Sequence, residues 1–408
     1  MSSRVQKDII CDFVSANTAV SQLTEEQAVK PYPIPEPNLL LENFIPSNTF
    51  NSTTVSLTTG NTFQAGLQKY TGGVLAPNGL IYCAPSQATN VLVIDPAQNT
   101  ASTNLVTLST GSVLLSNSDY FGAVRAPNGK IYCIPFRNSK VGVIDPETNI
   151  FSTTLVTLAA GSSISVGGDK WFGGCLAANG KIYGIPSNST DILVIDPETN
   201  IASTTLVSGT TGSTLAGIAK WQGGALGPDG KIYAAPRDAL SVLVIDPYTN
   251  TFDTTSISLT TGSTFGVYGN AVLAQNGKIY TVPRSASLVG VIDPERKTFD
   301  TTLFTLSAGS TLSGSNKYNG GVLAMDGKIY GIPRAATSVL VMDPETNIVS
   351  TTTVSLTSGS TFGECYGGVL APNGKIYAVP STSTIMPIIT PSIPKLPQWV
   401  LSPEFNKF

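Results

Sequence analysis

The chain has 408 residues, of which 41% are hydrophobic and 12% are charged, and its net charge is −3. This composition can supply a core, and it excludes wholesale disorder. The sequence contains no cluster of Lys and Arg, so nucleic acid is not expected as the main ligand. No apolar run reaches the length of about eighteen residues that a membrane helix needs, and the start lacks the apolar segment of a secretory signal. We therefore expect neither membrane insertion nor export by a signal peptide.

Residues 1–47 lie outside any repeat and are predicted to form an N-terminal arm. The segment Thr24-Glu25-Glu26-Gln27 resembles a capping box and indicates a short helix near residues 21–29. Prolines alternate with other residues, including Tyr32, over residues 31–37. They favour an extended segment, because proline fixes φ and cannot donate a backbone hydrogen bond.

A segment of the form Gly-Gly-Val-Leu-Ala-Pro-Asn-Gly-Lys-Ile-Tyr returns about every fifty residues, followed by Val-Leu-Val-Ile-Asp-Pro and a Thr/Ser-rich stretch. The tyrosines of the Ile-Tyr pairs mark seven copies: Tyr82, Tyr132, Tyr183, Tyr233, Tyr280, Tyr330 and Tyr377. This period fits four short strands with their turns, and no helical periodicity interrupts it. Each copy is predicted to be one blade of a β-propeller.

The third copy illustrates the predicted blade. Residues 174–178 and 181–185 read as two strands joined by a type I′ turn at Asn179-Gly180. The third strand, 192–195, should end at Asp-Pro, and the β-branched stretch 203–207 should form the fourth. Paired glycines at the start of the inner strand suit a position where neighbouring blades converge on an axis.

The seventh copy lacks a fourth strand, but residues 50–57 match the outer strand of other copies and precede the first blade. Outer-strand closure by this N-terminal segment would remove the two open edges of a linear array. The predicted fold class is therefore all-β, a closed seven-bladed β-propeller over residues 48–391.

The run Asn-Gly-Lys-Ile-Tyr, followed by Val-x-Val-Ile-Asp-Pro-x-Thr, resembles the repeats of YVTN/NHL-type and kelch-type propellers over residues 48–391. The resemblance implies the propeller architecture. It leaves the function open, since propellers of these types serve as enzymes, lectins, scaffolds and virion or cell-surface proteins.

Two sets of residues are candidates for binding a ligand or a partner on the face where the blade-joining loops emerge. An aromatic residue precedes six of the marker tyrosines by twelve positions: Tyr70, Tyr120, Trp171, Trp221, Tyr268 and Tyr318. Arg237, Arg284 and Arg334 follow the second-strand proline in three consecutive copies. The two sets together could stack on sugars or grip an acidic group. The alternative is that the aromatics wedge between blades and that the arginines are solvated loop charges. This alternative is favoured for the aromatics and weighted equally with binding for the arginines.

The usual catalytic and metal-binding groups are missing from the sequence. It has no His, its five Cys form no CxxC pair, and the repeated Asp of Ile-Asp-Pro suits a turn better than a single catalytic pocket. We expect no metal, no cofactor and no enzymatic activity. Lysines on the hairpin turns of the opposite face are expected to serve solubility.

Residues 392–408 are predicted to form a Pro-rich C-terminal tail that carries Trp399, Phe405 and Phe408. These aromatics and Tyr32 are candidate contacts to other proteins of an assembly. The first functional hypothesis is a structural or recognition propeller in a larger assembly, with a virion or appendage surface as the most natural setting and the cytoplasm otherwise. A lectin-like module that binds surface glycan is the first alternative, and a hydrolase or lyase with its site in the central channel is the second.

Overall fold

Seven five-stranded sheets, antiparallel except for the outermost strand, form the blades of a β-propeller in the computed structural model, which describes residues 48–63, 68–115, 117 and 119–392. The predicted fold class is thus confirmed. The inner strands are β3 (Tyr70–Leu75), β8 (Tyr120–Arg125), β13 (Trp171–Leu176), β18 (Trp221–Leu226), β23 (Tyr268–Leu273), β28 (Tyr318–Leu323) and β33 (Cys365–Leu370). Within the described ranges there is no helix able to cross a membrane. The N-terminal arm and nearly all of the C-terminal tail lie outside these ranges, so both stay predictions.

The apolar Ile-Tyr-x-x-Pro and Val-Ile-Asp segments form the two middle strands of each blade. The second strands are β4 (Ile81–Pro85), β9 (Ile131–Pro135), β14 (Ile182–Pro186), β19 (Ile232–Pro236), β24 (Ile279–Pro283), β29 (Ile329–Pro333) and β34 (Ile376–Pro380). The third strands are β5 (Leu92–Asp95), β10 (Gly142–Asp145), β15 (Leu193–Asp196), β20 (Leu243–Asp246), β25 (Gly290–Asp293), β30 (Leu340–Asp343) and β35 (Ile388–Thr390). They are nearly continuous apolar runs because both of their faces pack against neighbouring blades.

The outer edge of each blade differs from the prediction, because every sheet has five strands rather than four. The fourth strands are β6 (Thr100–Ser102), β11 (Ile150–Ser152), β16 (Ile201–Ser203), β21 (Thr251–Asp253), β26 (Thr298–Asp300), β31 (Ile348–Ser350) and, in the seventh blade, β1 (Thr49–Asn51). The fifth are β2 (Ser56–Leu57), β7 (Thr107–Leu108), β12 (Thr157–Leu158), β17 (Ser208–Gly209), β22 (Ser258–Leu259), β27 (Thr305–Leu306) and β32 (Ser355–Leu356). The Thr/Ser-rich stretch therefore breaks in two: its first part completes one blade and its second pairs in parallel with the outer strand of the next.

The hairpin turns also differ from the predicted type I′ geometry. In the first blade the Gly79 amide donates to the Ala76 carbonyl at 3.0 Å, and Gly79 has a φ of 82° while Asn78 has no positive φ. A type I′ turn needs positive φ at both central residues, whereas a type I turn followed by a left-handed glycine needs only one. Pro77 occupies the second position of the turn, where its fixed φ favours type I geometry in the Ala-Pro-Asn-Gly sequence.

The N-terminal strand closes the ring, over a shorter segment than the sequence suggested. Phe50 of β1 pairs antiparallel with Ile389 of β35 and parallel with Leu356 of β32. Asn48, just before it, accepts hydrogen bonds from the Tyr330 hydroxyl at 2.8 Å and the Ser392 amide at 2.7 Å. Of the predicted closing segment 50–57, the last two residues instead pair with the fourth strand of the first blade.

Hydrophobic clusters fill the spaces between neighbouring blades, and marker tyrosines bridge the same gaps at their polar ends. The cluster between the first two blades contains Tyr82 and Val93 from one and Ile131 and Ile144 from the other. The Tyr82 hydroxyl donates to the Asn149 side chain of the next blade at 2.8 Å. A buried tyrosine thus keeps its ring in the core and its hydroxyl satisfied. Tyr132 and Tyr377 make the same bond to Asn200 and Asn99.

Lys220 is a buried cation that joins the third and fourth blades. Its ammonium donates to the backbone carbonyls of Ser187 at 2.6 Å and of Ser189 and Gly217, each at 3.0 Å. Burial lowers the pKa of Lys220 to about 8, because removal from water disfavours the charged form.

The lowered pKa of Lys220 should make the free energy of unfolding depend on pH. Its ordinary pKa is 10.5, so between about pH 8 and that value the unfolded chain binds more protons than the folded one, and stability rises with pH. Replacing Lys220 with Met removes this contribution. Denaturant unfolding over that pH range should therefore show wild type gaining free energy of unfolding relative to Lys220→Met. The exposed Lys140→Met serves as the control, and a difference from Lys220→Met that does not vary with pH would contradict the assignment.

Candidate functional site at the channel mouth

The inner strands begin at the end of the ring where the loops between second and third strands emerge, which we call the mouth face. Each inner strand has a bulge near its start, as between Trp171 and Gly174, and a bulge re-aims side chains. The second residue of each inner strand consequently faces the axis. These residues line an axial cavity of about 190 Å³: Thr71, Phe121, Phe172, Gln222, Gly269, Asn319 and Tyr366.

A ring of glycines lies one residue further along the inner strands. Its members are Gly72, Gly122, Gly173, Gly223, Gly320 and Gly367, with Asn270 in the fifth blade. All six glycines have positive φ. A Cβ on Gly320 would lie 2.7 Å from the Gly367 Cα, and one on Gly72 would lie 3.2 Å from the Gly122 Cα. The blades can approach this closely only where side chains are absent.

Four aromatic side chains close one half of the axial channel where it opens on the mouth face. Phe121 meets Phe172 with ring centroids 3.9 Å apart and reaches Tyr366 of the seventh blade at 5.5 Å. Phe136, which follows the second strand of the second blade, packs on Phe172 at 4.9 Å. The four are only 4 to 9% exposed. We call this cluster the aromatic lid.

The other half of this channel opening is polar. The Gln222 side-chain amide donates to the Asn319 carbonyl oxygen at 2.6 Å. These residues belong to the fourth and sixth blades, and they meet because the fifth blade contributes Gly269, which has no side chain.

The three predicted arginines come together above these two halves. Arg237 lies 5.0 Å over the Phe172 ring, and Arg334 lies 4.7 Å over the Tyr366 ring. Arg284, between them in the sequence of blades, donates to the Gln222 carbonyl oxygen at 3.2 Å. We call the aromatic lid, Gln222, Asn319 and these three arginines the mouth.

The mouth carries more positive than negative charge. Arg334 pairs with Glu364 at 2.7 Å, but among the described residues Arg237 and Arg284 have no ion pair. Burial, and then repulsion from Arg237 and Arg334, lowers the pKa of Arg284 to about 10. The Arg284 guanidinium is still charged at neutral pH. An anion among them would relieve their mutual repulsion.

The six predicted aromatics are not part of the mouth. They are 0 to 2% exposed and lie in the cores between blades. Several of them use their polar atoms locally: the Tyr70 hydroxyl donates to Asn90 at 2.6 Å and the Trp171 indole donates to the Asp191 carbonyl at 2.9 Å. The buried Tyr120 hydroxyl has no hydrogen-bond partner among the described residues. The wedging alternative therefore describes their place in the structure.

Sequence reasoning missed Phe121, Phe172 and Tyr366, which stand one position after the core aromatic or its Cys365 equivalent. Strand alternation alone would place this second residue against the other neighbouring blade. The bulge instead turns it toward the channel. Phe136 also occupies the position of the three arginines in its own blade.

The opposite face shows paired charges rather than an anion-binding ring. Turn lysines pair with the repeated Asp in Lys130–Asp145, Lys181–Asp196, Lys231–Asp246, Lys278–Asp293 and Lys328–Asp343. The same Asp also accepts backbone amides of its turn, as Asp196 does from Glu198 and Thr199. The repeated Asp thus serves the turn, as its position suggested.

The described residues hold no group of three or more His, Cys, Asp or Glu suited to a metal ion. Cys83, Cys133, Cys175 and Cys365 are free thiols, and burial raises the pKa of each. The candidate assembly residues Tyr32, Trp399, Phe405 and Phe408 lie outside the described part of the chain.

Comparison with known proteins supports the fold. A family model described as a domain of unknown function, DUF5074, matches residues 120–322, just under half of the chain. No curated protein matches. Virginiamycin B lyase from Staphylococcus aureus is similar in structure, with 12% identity, a TM-score of 0.58 and coverage of 79% of this chain and 95% of the lyase. Hydrazine synthase from Kuenenia stuttgartiensis has 14% identity and a TM-score of 0.56, with coverage of 82% of this chain and 99% of the synthase.

A further similar structure is the extracellular domain of a putative hybrid two-component system from B. thetaiotaomicron. It has 10% identity and a TM-score of 0.58, and the match covers 84% of this chain and 42% of that one. The propeller fold is thus shared with proteins of mixed function, including extracellular domains and a lyase.

The prediction that this protein is not an enzyme is wrong as an inference from sequence. Virginiamycin B lyase and hydrazine synthase are enzymes with the same fold. The propeller architecture therefore does not separate a binding propeller from a catalytic one.

Proposed function

We propose that this protein is a recognition propeller that binds an acidic group at its mouth. The observation that carries the proposal is the convergence of Arg237, Arg284 and Arg334 from three consecutive blades, with one carboxylate, Glu364, bonded to Arg334. Guanidinium groups present paired donors that match carboxylate, sulfate or phosphate oxygens.

The two halves of the mouth define the rest of the ligand. The aromatic lid offers a surface for an apolar or ring-shaped portion, and the Gln222–Asn319 pair offers amide groups. The axial cavity of about 190 Å³ is smaller than a typical ligand pocket of roughly 300–1,000 Å³. The mouth therefore accommodates one group, and most of the ligand remains outside it.

Arg284→Gln should weaken binding of acidic ligands most strongly, because Arg284 lies between the other two arginines. A hydrogen bond to a charged group contributes about 1.5–3 kcal/mol, which corresponds to roughly a ten- to hundredfold loss of affinity. Titration of sialylated and sulfated oligosaccharides and of aromatic carboxylates, each with a neutral counterpart, measures this loss. Arg296→Gln, on the opposite face, is the charge-matched control. Equal affinity of wild type and Arg284→Gln for every acidic ligand would refute the proposal.

The same panel tests the lectin alternative, since neutral sugars would then bind as well as acidic ones. Catalysis at the mouth is a second candidate, because Glu364 and Tyr366 place ionisable groups beside Arg334. Mass spectrometry of each ligand after incubation detects turnover. Loss of turnover with retained binding in Glu364→Gln would favour a hydrolase or lyase.

The larger setting stays a proposal. A structural or recognition role in an assembly, at a virion or appendage surface or otherwise in the cytoplasm, is motivated by the low charge and the Ser/Thr-rich outer strands. Attachment would use the arm and the tail. Removing residues 1–40 should then leave a folded propeller that no longer joins its assembly.

A further inference from the structure

Large apolar side chains are exposed on the mouth face. The exposed fraction is 57% for Val113 and Leu115, 79% for Val166, 74% for Ile218 and 83% for Leu240. We call these five residues the apolar rim. On the opposite face of the described structure, Tyr248 and Met325 are the large apolar side chains exposed to a comparable degree. Single exposed apolar residues are ordinary, but a group on one face is typical of an interaction surface.

The apolar rim adjoins the mouth through the chain itself. Val113, Leu115, Val166 and Ile218 lie on the segments that lead into inner strands β8, β13 and β18, whose second residues are Phe121, Phe172 and Gln222. Leu240 follows Arg237 by three residues on the same loop. The apolar rim therefore lies on the second to fourth blades, the three arginines lie on the fourth to sixth, and the two features meet on the fourth blade.

This combination distinguishes between kinds of partner. A small anion or an acidic sugar would use the arginines and leave the rim in water. A polyanion such as nucleic acid is disfavoured by the net charge of −3. A protein surface can use both features, because interface centres combine apolar contacts with arginine paired to a carboxylate.

Resting on the proposed function, we propose that the mouth face docks a protein partner. The partner inserts an Asp or Glu side chain among Arg237, Arg284 and Arg334 and covers the apolar rim with apolar residues of its own. Electrostatic attraction guides and orients the partner, and the rim contributes the buried apolar area.

Selection of a displayed library of random dodecapeptides on the immobilised full-length protein tests this inference. The expected peptides contain an acidic residue flanked by apolar residues. An enriched peptide and its Glu→Gln or Asp→Asn version are then titrated against wild type, Arg284→Gln and the double variant Ile218→Ser/Leu240→Ser. Each change should weaken binding by about tenfold or more. Tyr248→Ser/Met325→Ser, which removes exposed apolar residues from the opposite face, should leave the affinity unchanged.

The outcomes separate this inference from the proposed function. Acidic peptides without an apolar preference, insensitive to Ile218→Ser/Leu240→Ser, would overturn the docking surface and retain the acid site. Apolar peptides insensitive to Arg284→Gln would overturn the acid site. If no peptide is enriched while acidic glycans or anionic vesicles bind through Arg284, the partner is not a protein, and the acid site stands.

Discussion

Deleting residues 1–52 is expected to make the protein aggregate or melt far below the full chain. The deletion removes strand β1, whose Phe50 is 1% exposed and packs on Phe362 with ring centroids 4.4 Å apart. It also removes Ser52, which accepts from the Thr361 amide at 2.9 Å. Each large apolar side chain left uncovered forfeits about 1.5–3 kcal/mol, a large share of a typical net stability of about 5–15 kcal/mol. Thermal unfolding and light scattering report the two consequences.

The matched control is a deletion that ends at residue 46 and keeps both β1 and Asn48. We expect it to retain the melting temperature of the closed ring, because the pairing of Phe50 with Ile389 and Leu356 is preserved. Equal melting temperatures for the two truncations would show that β1 does not hold the first and last blades together.

Gly320→Ala is expected to be among the most destabilising single substitutions. The new Cβ would lie 2.7 Å from the Gly367 Cα, a backbone atom of the neighbouring blade, and the φ of 88° disfavours any L side chain. Left-handed backbone costs an alanine about 1–2 kcal/mol, and overpacking adds about 1–3 kcal/mol. A total loss of roughly 2–5 kcal/mol should appear in equilibrium unfolding by urea.

Gly359→Ala separates the two causes. Gly359 has a similar φ of 77°, but a Cβ there would meet no atom within 4 Å. Only the backbone cost of about 1–2 kcal/mol should remain. If the two variants lose the same stability, contact between Gly320 and Gly367 at the axis does not restrict the inner strands.

The repeat alone was sufficient to predict the number of blades, the middle strands and the closure by an N-terminal strand. Strong local signals carry this information: the Ile-Tyr pairs, the Asn-Gly or Asp-Gly turns and the Asp-Pro strand ends are set by backbone preferences within a few residues. Even so, the predicted fourth strand at 203–207 was displaced to 201–203, because the stretch is shared between two blades. That division depends on pairing with a neighbouring sheet, which local sequence does not specify.

The mouth was only half predictable. Arg237, Arg284 and Arg334 stood out because they follow the second-strand proline in three consecutive copies, whereas the aromatics chosen with them are core residues. Phe121 and Tyr366 are 245 residues apart in sequence and meet only because the ring brings the second and seventh blades to one axis. The repeat therefore determined the architecture, since its signals are local and recur seven times. Tertiary structure alone decided which side chains converge at the mouth, since contacts across the axis depend on ring closure and on the bulge that turns each second residue inward.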